Sequence, residues 1–481
     1  MEFRFERPAL RLGYVPNRRD SFMDPAFLEN KKAVDKVLKK LVKECGIELV
    51  TTDKLKFPPK SMMWGKKVFD MPADKVMTDY SDGVMVAEYM KQQKVDALFF
   101  AFLNFGQEEA VAKVAKELNV PVLVWGPRDP MPDGLCGRPL DVQCGLFAAT
   151  KVLQRYGVKF TYIENCAPTD KAFTEGFKQF ISTANIVKNF RNARVAQISV
   201  RPAQFMSVIV NEGELLEKFG IEIVPIAATT VANTADFLLE NNRDEVNALV
   251  EDIEKTIDMS QLGDRKYTTA AFELALMKIC KDHGCNALAC ECWNSFRSLL
   301  GIGVCFVLGD LHDRGLPAAC ETDVHAAISS LLAIGATCNT QPSFIADLTI
   351  RHPEDDNCEL LWHCGPFAKS LKKEGAEGYI VEGGQGYYPI KNGEMTTIRF
   401  DGVNGNYKLF IGKGEGIDGP VTNGNYVWLK VDDWVRWEKK FMYGPYIHHL
   451  IGVYGDYVEA MKDACRYIGV EADTPDMPLF S

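Results

Sequence analysis

No C-x-x-C pair occurs in the 481 residues, although the chain carries 14 cysteines. That absence argues against a structural zinc site. The cysteines sit instead in apolar stretches such as ALACECW (287–293) and GVCFVLGD (303–310), where a thiol behaves as a small buried hydrophobe. Reduced thiols, and with them a cytoplasmic location, are the expectation. No uninterrupted apolar run reaches membrane-spanning length, and the opening MEFRFERPALRLGYVP lacks the apolar centre of a signal peptide. Neither a membrane partner nor export is expected. There is no block of Lys and Arg, and the net charge of −10 disfavours nucleic acid as a partner. No G-x-x-x-x-G-K-[ST] is found. The glycine-rich pieces GGQGYY (383–388) and GKGEG (412–416) lack the strand–helix context and acidic residue of a dinucleotide site, so hairpin turns are expected of both. Histidine is scarce, with seven in all, at 283, 312, 325, 352, 363, 448 and 449.

What is present is ordinary soluble composition, 47% hydrophobic and 25% charged, in a chain too long for one core. The first third alternates apolar strands (11–16, 96–103, 120–126, 158–164) with helical patterns (29–44, 82–93, 107–118, 141–156). That rhythm implies parallel strands joined by crossover helices. It restarts with strands expected at 193–200, 221–226, 285–292 and 304–309, with a seam in KNFRNAR (188–194). After about residue 345 glycine becomes dense and N-G and D-G dipeptides mark turns, which predicts a mostly antiparallel β-domain closed by a helix at 456–467. The fold class is therefore α/β: two Rossmann-like α/β domains (1–188 and 189–345) followed by a β-rich, barrel-like domain (346–481).

The chemistry concentrates near the α/β-to-β transition. AACETDVHAAISSLLAIG (318–335) places Glu321, Asp323 and His325 just before or inside an apolar helix. Glu321 is expected to open that helix, with Asp323 as its cap and His325 as a packing or partnering side chain. Asp347 is expected to end the strand SFIADLTI; His363 lies in LLWHCGP, and His448 and His449 lie in YGPYIHHLIGVYGD. Two carboxylates with imidazole form a hard-oxygen, borderline-nitrogen donor set that suits Mn²⁺, Mg²⁺ or Co²⁺. Trp125, Trp293 and Trp362 are candidate aromatic walls of a small-molecule pocket. Arg18, Arg128 and Asn104 sit at expected strand ends and loops of the first domain.

The segments CW (292–293), GLPAACETDV (315–324), FIADLT (344–349), LLWHCG (360–365) and HH…YGD (448–456) resemble the L-fucose/L-arabinose isomerase superfamily, especially its fucose isomerase branch. FLNFGQEE (102–109), VWGPRDP (124–130) and GRPLDVQCGL (137–146) extend the resemblance over nearly the whole chain. The resemblance implies an aldose–ketose isomerase using a divalent cation, commonly Mn²⁺, and working through an enediolate. It implies that Glu321 and Asp347 are both metal ligands and the acid/base pair, with His449 as the metal histidine and His448 in reserve. His363, His448, Trp125, Trp293, Asn104 and Arg18 become candidate substrate-binding residues. A homo-oligomer, trimer or hexamer, with sites completed by neighbouring subunits, is also implied. The C-terminal segment departs from that of fucose isomerase itself, so the sugar is left open among L-fucose, D-arabinose, L-arabinose or a modified aldose. The alternatives are a non-catalytic sugar-binding protein and an epimerase or isomerase of a modified sugar in a degradative pathway.

Overall fold

A computed structural model describes residues 3–20, 26–58, 60–64, 67–70, 75–132, 134 and 137–479. The chain divides into two compact units, Pro8–Lys188 and Asn189–Ser481 with Met1–Arg7.

The first unit is built on β1 (Arg11–Asn17), β2 (Glu48–Thr51), β5 (Ala97–Phe102), β6 (Val122–Trp125) and β7 (Thr161–Tyr162), with a separate antiparallel pair β3 (Ser61–Trp64) and β4 (Lys67–Asp70). The main sheet runs β2-β1-β5-β6-β7 and is parallel throughout. The sequence ALFFAF of β5 is buried at every position, as a central parallel strand covered on both faces must be. The expected helices form as Ala26–Glu44, Tyr80–Gln92, Glu108–Leu118 and Val142–Arg155. The strand expected over 158–164 pairs only at Thr161 and Tyr162.

The second unit opens with another parallel sheet, β11-β10-β8-β9, from β8 (Arg194–Ile198), β9 (Glu222–Ile226), β10 (Ala287–Cys290) and β11 (Ala318–Ala319). One expectation fails here. VCFVLG (304–309) is not a strand but most of the helix Cys305–Asp313, buried from Cys305 to His312. A short apolar run reads alike as a buried strand or a buried helix, because neither leaves a polar face to set a period. The helix also packs backbone to backbone: a Cβ on Gly309 would lie 2.4 Å from the Gly365 carbonyl oxygen.

The remaining strands are β12 (Phe344–Arg351), β13 (Cys358–His363), β14 (Tyr379–Ile380), β15 (Gly386–Pro389), β16 (Gly393–Val403), β17 (Asn406–Ile417), β18 (Asn425–Lys430), β19 (His449–Tyr454) and β20 (Glu471–Asp473). Six of them close a ring of antiparallel pairings, β18-β13-β12-β19-β16-β17 and back to β18. This is a barrel, which removes free sheet edges. The turn at Asn404-Gly405 has φ of 53° and 75°, the left-handed pair a two-residue hairpin needs. GKGEG, in contrast, lies inside β17 and is not a turn. Its glycines clear space: a Cβ on Gly412 would sit 2.1 Å from the Trp437 ring. The closing helix is Val458–Ile468. Parallel sheet and barrel share one apolar cluster, reaching from Ile198 and Leu288 to Leu361 and Leu450.

Candidate active site

Glu321 does not open a helix. The helix starts at Val324, capped by the Asp323 carboxylate accepting from Ala326 N at 2.9 Å. Glu321 and Thr322 precede it at φ of 59° and 60°. Side chains with a Cβ rarely hold that conformation, and each such residue costs roughly 1–3 kcal/mol. The strain is tied down by Thr322 N donating to Cys290 O (3.1 Å) and Asp323 N to Cys320 O (3.0 Å).

Asp347 lies within β12, which continues to Arg351, rather than at its end. In the ladder it faces His449 of β19. Directly paired residues project to the same side of a sheet, and Asp347 Oδ1 lies 3.4 Å from His449 Nε2. His363 Nε2 and His448 Nε2 come within 3.7 and 3.8 Å of the same oxygen. Glu321 Oε2 is 3.1 Å from His449 Nε2, while its Oε1 accepts from Trp293 Nε1 at 3.0 Å. Five residues scattered over 128 positions of sequence thus meet at one point. Asp347 Oδ1, His363 Nε2 and His449 Nε2 are all buried without a well-aligned hydrogen bond, an arrangement that costs free energy unless something binds there.

The sequence reading missed how His449 is held. Its Nδ1 bonds to Asp323 Oδ2 at 2.7 Å, which turns Nε2 toward Glu321 and Asp347. Asp323 is more than a cap. It also accepts from Arg399 at 2.6 and 3.2 Å; Arg399 in turn donates twice to Asp401 (2.9 and 2.7 Å), and Asp401 meets His325 Nδ1 at 2.9 Å. All five residues are at least 96% buried. His325 is thus a partnering side chain, as expected. Arg399 and Asp401 carried no signal in the sequence, because ion pairs between distant segments have no spacing to find.

Electrostatics follow from these contacts. Burial pushes the Glu321 carboxyl up, but the His449 contact, the His449 and His363 charges and the Trp293 N–H outweigh it and hold it low. Burial pushes the His449 imidazole down, yet Asp323 and Glu321 carry it to about 10. His448 is lowered by burial and by the His449 charge.

One wall is aromatic. Phe205, not singled out in the sequence, stands 5.9 Å from Trp293, 5.8 Å from His448 and 5.5 Å from His449 between ring centroids. The Trp293 loop is pinned by the Glu291 carboxylate, which accepts from Trp293, Asn294 and Ser295 N at 2.8–2.9 Å. Trp362 turns its indole N–H to the Asn423 carbonyl.

The N-terminal candidates are accounted for within their own unit. Trp125 is fully buried, 4.7 Å from Phe173 between rings, as a core residue. Arg18 is buried, pairs with Asp20 at 3.0 Å and lies over Phe27. Asn104 Oδ1 accepts from Arg19 N and Gly106 N, so it shapes its loop.

Residues 13–191 match the family described as fucose/sulfoquinovose isomerase, N-terminal domain, and residues 363–474 match L-fucose isomerase, C-terminal domain. The chain belongs to the fucose isomerase-like family. This fucose isomerase-like chain is 24% identical over 428 residues to a sulfoquinovose isomerase of Priestia aryabhattai, covering 86% of this chain and 93% of the relative. Sulfoquinovose isomerases of Alkalicoccus urumqiensis (25% over 337 residues, 68% and 73% covered) and Clostridium sp. (strain MSTE9) (24% over 388 residues, 77% and 84%) are also similar. A solved periplasmic solute-binding protein from Actinobacillus succinogenes with bound D-allose covers 69% of this chain and 92% of its own at 13% identity, with a TM-score of 0.18. Membership makes the fucose isomerase-like chain an aldose–ketose isomerase of a sugar and sets aside the non-catalytic alternative. Glu321 and Asp347 fall between the two matched stretches, so their roles rest on the geometry above. No helix among the described residues is long and apolar enough to cross a membrane.

Proposed function

We propose that Glu321, Asp347 and His449 hold a divalent cation, Mn²⁺ first and Mg²⁺ or Co²⁺ as substitutes, and that an open-chain aldose is isomerised against the two carboxylates. The observation that carries this reading is the convergence of buried, unbonded ligand atoms at one point: Asp347 Oδ1 and His449 Nε2, with Glu321 Oε2 beside them. Two carboxylates and one imidazole, with Asp323 fixing the ring through Nδ1, are a donor set for a hard or borderline cation with positions left for substrate. When bound, the cation supplies Lewis acidity toward the sugar's carbonyl and neighbouring hydroxyl oxygens.

The side chains do the rest. One carboxylate takes the proton from C2 and returns it to C1; the other moves a proton between the two oxygens, so that atoms and charge balance over the cycle. Trp293 N–H occupies one Glu321 oxygen and leaves Oε2 for the site. The Cys364 N–H donates to His363 Nδ1 at 2.9 Å, which leaves Nε2 as the ring nitrogen that can offer an N–H to the site. His363 is therefore assigned to the substrate as a donor, not to the cation. Phe205, Trp293 and His448 offer faces to the sugar's C–H surface.

For the substrate, sulfoquinovose comes first, since the similar proteins above bear that name; L-fucose, D-arabinose and L-arabinose follow. A homo-oligomer, trimer or hexamer, with sites completed by the loops of Arg18, Arg128 and Asn104 of neighbouring subunits, is supported by the resemblance alone. Gel filtration showing a fully active monomer would remove it. Ketose formation followed by NMR over these four aldoses, with EDTA and after Mn²⁺ is restored, tests the reading. Restored, metal-dependent turnover of one aldose is expected; turnover equal in both states would overturn the cation, and no ketose from any of them would overturn the substrate assignment.

A further inference from the structure

The absence of a C-x-x-C pair excludes only a locally spaced cysteine site. The fold gathers what the sequence scatters. The sulfurs of Cys292, Cys305 and Cys320 lie within 4.8 Å of one another, all buried. Cys320 also groups with Cys364 and His363, their ligand atoms within 4.8 Å of one another, and Cys364 Sγ is 3.3 Å from His363 Nδ1. Four of the chain's 14 cysteines therefore lie in two groups that share Cys320, each delivered by a different segment. Cys292 follows β10, Cys305 begins the buried helix Cys305–Asp313, Cys320 follows β11 and Cys364 follows β13. The approach is enforced by backbone packing, since a Cβ on Gly365 would lie 2.5 Å from the Cys305 carbonyl carbon.

We propose that Cys292, Cys305 and Cys320 form the three-thiolate core of a second metal site, with Cys364 on the side of Cys320 as its fourth ligand, for a soft or borderline ion of the Zn²⁺ class. Tetrahedral Zn–S bonds of about 2.3 Å place sulfurs about 3.8 Å apart, and those of Cys292, Cys305 and Cys320 already lie within 4.8 Å of one another. Thiolates select such ions, whereas the carboxylate-rich set at Glu321 and Asp347 selects harder ones, so the two sites do not compete for one metal. Each thiol that ligates releases its proton, and the first turn of a helix, where Cys305 sits, favours the thiolate left behind. The site is structural: it has no carboxylate or open position, and it ties Cys320 and Cys364, the neighbours in sequence of Glu321 and His363, into one cluster.

Cd²⁺ is the probe. The full chain, reduced and saturated with Mn²⁺, is titrated with Cd²⁺ while the ultraviolet thiolate-to-cadmium absorbance is recorded. One Cd²⁺ per chain should bind with that band, with no dependence on whether any sugar is turned over. Cys292→Ser and Cys305→Ser should lower the affinity at least tenfold, while Cys358→Ser, at a buried cysteine elsewhere in the barrel, should leave it unchanged. Cys364→Ser, at the half-buried rim, repeats the test if a buried variant does not fold. Absence of the band in reduced protein overturns the proposal. So does an undiminished band in a folded variant of the cluster, which would place Cd²⁺ on other thiols.

Discussion

Replacing Asp323 by asparagine removes one negative charge and little else. Asparagine is as good an N-cap as aspartate, so the bond from Ala326 N survives. What is lost is the carboxylate that accepts from His449 Nδ1 at 2.7 Å and from Arg399 at 2.6 and 3.2 Å. A carboxylate behind a ligating histidine is worth about 10- to 100-fold in metal affinity or activity, or roughly 1.4–2.8 kcal/mol. Arg399 is left at 0% exposure but keeps both bonds to Asp401. The loss of stability should therefore fall short of the roughly 3–5 kcal/mol expected when a buried charge loses all its partners. The assay is kcat/KM together with the apparent Mn²⁺ affinity and the thermal midpoint, measured on the same preparation. A folded Asp323→Asn protein with wild-type Mn²⁺ affinity and wild-type kcat/KM would refute the role assigned to Asp323.

Glu321→Gln and Asp347→Asn should each lower kcat by about 10²–10⁴-fold, the range of a general acid or base, measured with Mn²⁺ in excess. Turnover in D₂O should place deuterium at the isomerised carbon; a product free of deuterium, where the site exchanges with solvent, would indicate a hydride shift. His312, buried between Ser343 and Ala318, has its imidazole lowered by burial to about 4. Its neutral form is the one the fold accepts, so its contribution is complete above the unfolded value of about 6.5 and is lost as pH falls toward 4, by about 3 kcal/mol. Urea unfolding at pH 7 and pH 4.5 checks this, with His312→Gln expected to flatten that part of the difference.

How much of this was legible in the sequence differs by kind of signal. The parallel strands of the first unit were readable because ALFFAF and VLVW are continuous apolar runs between amphipathic helices. VCFVLG defeated the same rule, since a helix buried on every side has no polar stripe. GKGEG looked like a turn because glycine usually marks one; its glycines instead make room for Trp437. Glu321, Asp347 and His449 were reached through motif resemblance, and their meeting follows from the β12–β19 register. Asp323 reads as a cap, but its bond to His449 spans 126 residues and no local pattern encodes it. Arg399, Asp401, Phe205 and the four-cysteine cluster belong to the same class. They are products of topology, invisible until the barrel closes.

The central claim is that Glu321, Asp347 and His449 form one cation site, and direct Mn²⁺ binding tests it most sharply. The electron paramagnetic resonance signal of free Mn²⁺, recorded against protein concentration, should show one bound ion per chain. Binding should be lost in His449→Gln and in Asp347→Asn but kept in His448→Gln. A folded His449→Gln protein that still binds one Mn²⁺ with unchanged affinity would contradict the account.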